Sequence, residues 1–239
     1  MALLEAHHLR KTYHTASRTV EAIKDVSFAL HEGETIGILG PSGCGKTTIG
    51  QIVAGLIEAD KGSVYYRGDK IKYPLKGNQR KEIQIIFQHP EMSLNPKYPL
   101  MQSFREISSR YHLHMDNESL LSYIKGFGLY EEHLHRRPIQ LSGGELQRAT
   151  VARIMLLEPK IIVLDEPTSM LDAISQAHVI QLMKKIQADK GVSYIYITHN
   201  WQLAQFMCDS VYRLEDGRLL AEGCGEADNS LDYKAVFRY

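Results

Sequence analysis

Apolar and polar positions alternate from Val20 to Leu30 in VEAIKDVSFAL, the period-two pattern of a strand with one buried face. HEGE then turns the chain into TIGILG, a short run apolar on both faces that predicts a strand inside a sheet. A helix is predicted from Lys46 to Leu56, closed by EADKG, and SVYYRGDKI reads as a pair of strands. EIQIIFQ, Glu82 to Gln88, reads as a further buried strand. From Pro90 to Gln140 the pattern changes. Prolines at 90, 96 and 99 break the chain, and MQSFREISSRYHLHM and NESLLSYIKGFGL follow with helical spacing. We read 90–140 as a helical insertion of about 50 residues, the size of a small subdomain. LQRATVARIMLLEP is a helix ended by Pro159, KIIVLDEP a strand, DAISQAHVIQLMKKIQADKG a helix and VSYIYITH a strand. VYRLEDGRLLAEG places Asp216-Gly217 between two alternating runs, a hairpin signal. Strands alternating with helices predict an α/β fold whose mainly parallel sheet is covered on both sides.

Composition changes this picture little. Of 239 residues, 44% are hydrophobic and 23% charged, as in ordinary globular domains. The 28 basic residues balance the 28 acidic ones, so no net field draws the chain toward nucleic acid or anionic lipid. Cys44, Cys208 and Cys224 have neither an even number nor a metal-ligand spacing, and are expected to be reduced thiols of a cytosolic protein. The N-terminal MALLEAHHLRK lacks the apolar stretch of a signal peptide, and no run approaches the ~20 residues of a membrane span. A soluble chain is expected, with any membrane role supplied by a partner.

The chemistry is concentrated in GILGPSGCGKTTIG. Gly40 to Thr47 fits G-x-x-x-x-G-K-[ST] with a buried strand before it and a helix after it. Gly40, Gly43 and Gly45 let the backbone curl so that its N–H groups converge on anionic oxygens, with Ser42 and Cys44 as small residues between them. The helix beginning near Lys46 adds its positive end, Lys46 a point charge for the outer phosphates, and Thr47 a hydroxyl suited to magnesium, with Thr48 next in the turn. In IIVLDEP, Asp165 emerges from a buried strand where it can hold the magnesium through water, and Glu166 follows to orient or deprotonate an attacking water. Pro167 argues against a helix that these two acids would merely cap. These residues predict an ATPase or GTPase. Ser142, Gly143 and Gly144 open a second helix and form a second anion site, which suggests service to another subunit's nucleotide.

LSGGELQRATVAR, Leu141 to Arg153, resembles the signature of ATP-binding cassette (ABC) proteins, and other marks of that family fall in order along nearly the whole chain. The resemblance implies a P-loop NTPase cassette: a mainly parallel core sheet, an antiparallel β part and a helical subdomain. It implies one nucleotide-binding domain over 1–239, with 1–89 and 141–239 as ATP-binding core and 90–140 as helical subdomain. By the same resemblance Tyr13 stacks on adenine and Gln88 senses the γ-phosphate and magnesium. The SMLD loop, Ser169 to Asp172, crosses a dimer interface, and His199 is the switch residue at the γ-phosphate. The implied cofactors are ATP and Mg2+, with two cassettes sandwiching two ATP molecules.

FQHPEMSLNPKYPL and DEPTSMLDAISQAHVIQLM are further similar to the ATPase subunits of peptide and nickel (metal-chelate) importers. That likeness implies transmembrane permease subunits, a second cassette that is another copy or a related chain, and, indirectly, an extracytoplasmic solute-binding protein. Nucleic acid is not an expected partner, and the expected place is the cytoplasmic face of the cell membrane, held peripherally. His89 and Asn200 stand where the family commonly has Asp, and hydrolysis is expected to survive because Asn200 can still accept a hydrogen bond. The chain stops at Tyr239, soon after the hairpin, which favours the shorter nickel- or metallophore-type members. The alternatives are a soluble ABC ATPase acting on nucleic acid or ribosomes, against which stand a single cassette and the absence of heptads, and an exporter-type ATPase sharing the catalytic motifs.

Overall fold

The computed structural model of the chain describes residues 1–15 and 18–222, so Cys224 and Tyr239 lie outside the described residues. In chain order the strands are β1 (Leu4–His14), β2 (Thr19–Leu30), β3 (Thr35–Leu39), β4 (Lys61–Tyr66), β5 (Asp69–Lys70), β6 (Ile83–Ile86), β7 (Ile161–Asp165), β8 (Ser193–Thr198), β9 (Ser210–Glu215) and β10 (Arg218–Glu222). The helices are α1 (Lys46–Val53), α2 (Gln79–Glu82), α3 (Leu100–Arg110), α4 (Asn117–Lys125), α5 (Glu131–His135), α6 (Gly143–Met155), α7 (Ala173–Lys190) and α8 (Trp201–Met207). The strands join one sheet in the order β5-β4-β1-β2-β10-β9-β3-β8-β7-β6. The α/β class, the parallel core and the antiparallel part are all present. β3 runs parallel to β8 and β9, and β7 parallel to β8, while β1 pairs antiparallel with β2 and β4.

Contacts divide the chain into two compact units: Met1–Ile85, Lys160–Glu166 and the described residues from Ile186 onward, and Ile86–Pro159 with Pro167–Lys185. In the first unit every residue of β3, β7 and β8 is buried, as their unbroken apolar runs dictate for strands covered on both faces. α1 lies on this layer through Gly50. A Cβ there would stand 2.9 Å from Ile197 Cδ1 and 3.0 Å from Val163 Cγ1. The helix ends at Val53, short of the expected Leu56, because Gly55 turns left-handed at φ 69° and closes it. Both expected hairpins form, with positive φ at Arg67 and Gly68 and again at Asp216 and Gly217.

β1 is a strand that alternation does not reveal. A register shift between Ala6 and Leu9 places His7 and His8 together on the exposed side, with His8 at φ 48°, and breaks the period of two. The second unit has its own core, in which Leu100, Phe104, Leu120, Ile124, Leu134 and Ala149 bring α3, α4, α5 and α6 together. On α3 the buried positions 100, 103, 104 and 107 follow the helical period.

Candidate active site

β3 delivers the chain at Leu39 into the turn that opens α1. Gly43 has φ 81° and Gly45 φ 108°, conformations that side chains oppose. At Gly45 a Cβ would also lie 2.5 Å from the Ala22 carbonyl oxygen, so the loop is pressed against β2. At Gly40 a Cβ would be 2.7 Å from Cys44 Sγ, which turns inward and packs on the core. No side chain caps α1, which leaves its first amides for a ligand. Lys46 is only 5% exposed, and its Nζ donates to the carbonyl oxygens of Gly40 (2.7 Å) and Pro41 (2.9 Å). Its 3.8 Å separation from Glu166 Oε1 is too long for a hydrogen bond and acts through charge alone. Tyr13 Oη lies 3.5 Å from Thr48 Oγ1, and its ring is part-exposed with Lys11 Nζ 5.9 Å from the centroid, a platform on which a base can stack.

β7 and β8 bring the acids and the histidine to the same edge. Asp165 is buried at the end of β7. Burial pushes its carboxyl above the usual range against the pull of the Thr47 hydroxyl; Glu166 raises it further and Lys46 lowers it. A buried carboxylate with a hydroxyl bonded to it is a hard-oxygen donor pair that fits magnesium, whose remaining positions water and phosphate can fill. Glu166 follows in the left-handed region at φ 48°, where a non-glycine residue stores about 1–3 kcal/mol of strain. Its amide donates to the Ile197 carbonyl at 2.9 Å, which holds the strained turn to β8. Its Oε2 meets His199 Nδ1 at 3.0 Å. Glu166 therefore stands between an ammonium and an imidazole, a carboxylate placed as a general base for an incoming water. Asn200 accepts the Leu203 amide at 3.1 Å and caps α8, a helix that the sequence pattern left unread.

The other expected site residues belong to the second unit. β6 ends at Ile86, so Gln88 lies two residues past the strand rather than at its end, and its Nε2 donates to Ser169 Oγ at 3.3 Å. Asp172 Oδ1 accepts the amides of Ile174 (3.1 Å) and Ser175 (3.0 Å) and so fastens the start of α7. Ser142 caps α6: its amide donates to Glu145 Oε2 at 2.8 Å, and the Glu145 amide donates back to Ser142 Oγ at 3.3 Å. Gly143 and Gly144 are small for packing reasons as well. Cβ atoms there would come 2.9 Å from Leu171 Cδ2 and 3.1 Å from Ser175, so the Ser169–Asp172 loop and the α6 N-terminus are brought together.

Sequence reasoning missed His133. It is buried, takes the Tyr130 amide on Nδ1 at 2.8 Å, and leaves Nε2 to donate to Glu145 Oε1 at 3.2 Å. Burial acts to raise the Glu145 carboxyl, but the bonds from Ser142 and His133 outweigh it and hold the group below its usual range.

The chain matches the family model described as ABC transporter over residues 23–169. It is 35% identical over 228 residues to the oligopeptide transport ATP-binding protein OppF of Bacillus subtilis, covering 91% of this chain and 74% of that protein. To the dipeptide transport ATP-binding protein DppF of Escherichia coli it is 35% identical over 233 residues, covering 92% and 70%. Among solved structures, it is similar to the dimeric post-hydrolysis state of the ATP-binding cassette MJ0796 bound to ADP and Pi. The TM-score is 0.81 at 29% identity, over 94% of this chain and 100% of that one. It is also similar to cbiO1 of Clostridium perfringens, part of the ABC transporter complex cbiONQ, with TM-score 0.76 at 27% identity over 93% and 88%.

Proposed function

This chain belongs to the ABC transporter family of ATP-binding chains, and from that premise we propose that it is the ATP-hydrolysing, energy-coupling subunit of a peptide importer. The observation that carries the reading is the Glu166 carboxylate held between Lys46 and His199 at the mouth of the phosphate loop. Glu166 takes the proton of the attacking water. His199 orients it and contacts the γ-phosphate. Lys46 and the amides of Ser42 to Thr48 grip the phosphates, and Tyr13 receives adenine. Bound magnesium would neutralise charge on the β- and γ-phosphates, with Thr47 and Asp165 holding it and Gln88 reporting on it.

Ser142, Gly143 and Gly144 complete the site of a second cassette, and Asp172 lies in the loop beside them. Residues 1–89 with 141–239 form the ATP-binding core of the proposal. Residues 90–140, which fall wholly inside the second compact unit, convey its closure to permease subunits at the cytoplasmic face of the membrane. Among the described residues no helix is long and apolar enough to cross a membrane. The proposed attachment is peripheral, through the permease subunits. Cargo arrives through a solute-binding protein that acts on the permease. The test is an affinity pull-down of the tagged chain from detergent-solubilised membranes of its host. Recovery of two multi-span proteins with a second cassette is expected. Recovery of ribosomes, or of no membrane protein, would overturn the reading.

A further inference from the structure

A cavity of about 390 Å³ opens in the second unit, between the turn that follows α4, the body of α6 and the later turns of α7. Its walls include Phe127, Gly128, Arg148, His178, Leu182 and Lys185, and no carboxylate lines it. Arg148 has neither a hydrogen bond nor an ion pair among the described residues, and its Nε is covered from solvent with nothing to receive its proton. Proteins seldom leave a buried guanidinium donor without a partner, because the lost hydration has no compensation. Two basic side chains, Arg148 and Lys185, with an imidazole beside them, face one space of a volume that small ligands occupy.

We propose that this cavity is a binding site for a small phosphomonoester. The guanidinium offers paired donors to two phosphate oxygens, and Lys185 offers a point charge on a flexible stem. Two cations match a dianion better than a single carboxylate. Phe127 and Leu182 form apolar walls for the organic part of the ligand. Gly128, in the left-handed region at φ 68°, keeps its side of the wall thin; a Cβ there would stand 3.5 Å from Arg148 Nε. The position gives such a ligand a route to the second anion site. Arg148 Nη1 lies 3.4 Å from where a Cβ of Gly144 would be, in the first turn of α6, two residues after its cap Ser142.

The test uses the full chain carrying Lys46→Ala, which removes the phosphate loop's own charge. Equilibrium dialysis with radiolabelled glycerol phosphate at low ionic strength should show one saturable site per chain. Arg148→Gln and Lys185→Gln should each weaken it at least tenfold, Arg148→Lys should weaken it less than Arg148→Gln, and acetate should fail to displace the ligand. Lys185 is exposed on α7, so its variant keeps the test open if Arg148→Gln fails to fold. Absence of saturable binding, binding unchanged in Lys185→Gln, or displacement by acetate as effective as by unlabelled glycerol phosphate would each overturn the proposal. ADP binding by the Lys46-intact chain is read separately, so failure here is distinct from failure of the ATPase reading.

Discussion

Gly45 and Glu166 are two residues that no ordinary backbone conformation would accommodate. Gly45 has φ 108° and a backbone carbonyl 2.5 Å from where a Cβ would stand, and a main-chain obstacle cannot rotate aside as a side chain can. Gly45→Ala is therefore expected to cost about 1–3 kcal/mol in urea denaturation and to weaken ATP binding at least tenfold. An unchanged midpoint with unchanged affinity would contradict the tight loop. Glu145 provides a titration. A carboxyl held below its unfolded value contributes stability above the unfolded range, and that contribution is lost as pH falls through the folded value. Thermal stability should accordingly fall on acidification through the carboxylate range, and Glu145→Gln, which keeps an acceptor for the Ser142 amide, should flatten that limb. The spacing of Lys46 and Thr47 made the phosphate loop legible in the sequence. The strain at Glu166 was not legible, since it arises where β7 leaves the sheet and is tied to β8.

Among the elements, the central strands were the easiest to read because β3, β7 and β8 are buried on both faces and carry unbroken apolar runs. β1 was lost to its register shift at His7 and His8, and α8 to its short length, although Asn200 three residues before Leu203 is a cap signal that marks its start. The second unit's helices depend on a compact core of their own. Phe104 on α3 is 1% exposed there, so Phe104→Ala should destabilise by about 3–5 kcal/mol. Hydrogen exchange should quicken first across α3 to α6, and equal acceleration in β3 and β8 would show that the two units unfold together. α5 has a second task, because its His133 braces the Glu145 that caps α6. No periodicity announces such a link between a histidine and an acid twelve residues apart.

At the scale of the molecule, the proposed catalysis divides between a residue that acts on this chain's nucleotide and residues that act on a partner's. In the assembled transporter, Glu166→Gln should abolish ATP turnover while ATP binding persists, and normal turnover would refute the role of Glu166. Ser142→Arg should also stop turnover but leave ATP affinity of the isolated chain unchanged, since in the proposed arrangement Ser142 serves the other cassette's nucleotide. Lost affinity in the isolated chain would contradict that division. The sequence by itself determined the α/β class, the phosphate loop, the acidic pair and the family, because each depends on residues adjacent or closely spaced along the chain. Only the tertiary structure decided that Glu166 meets His199, that His133 braces the capped end of α6, and that Arg148, His178 and Lys185 share one cavity. Glu166 and His199 are 33 positions apart, His133 and Glu145 12, and Arg148 and Lys185 37. Strand pairing and helix packing bring such residues together, and the local pattern of polar and apolar side chains carries no record of which distant groups will meet.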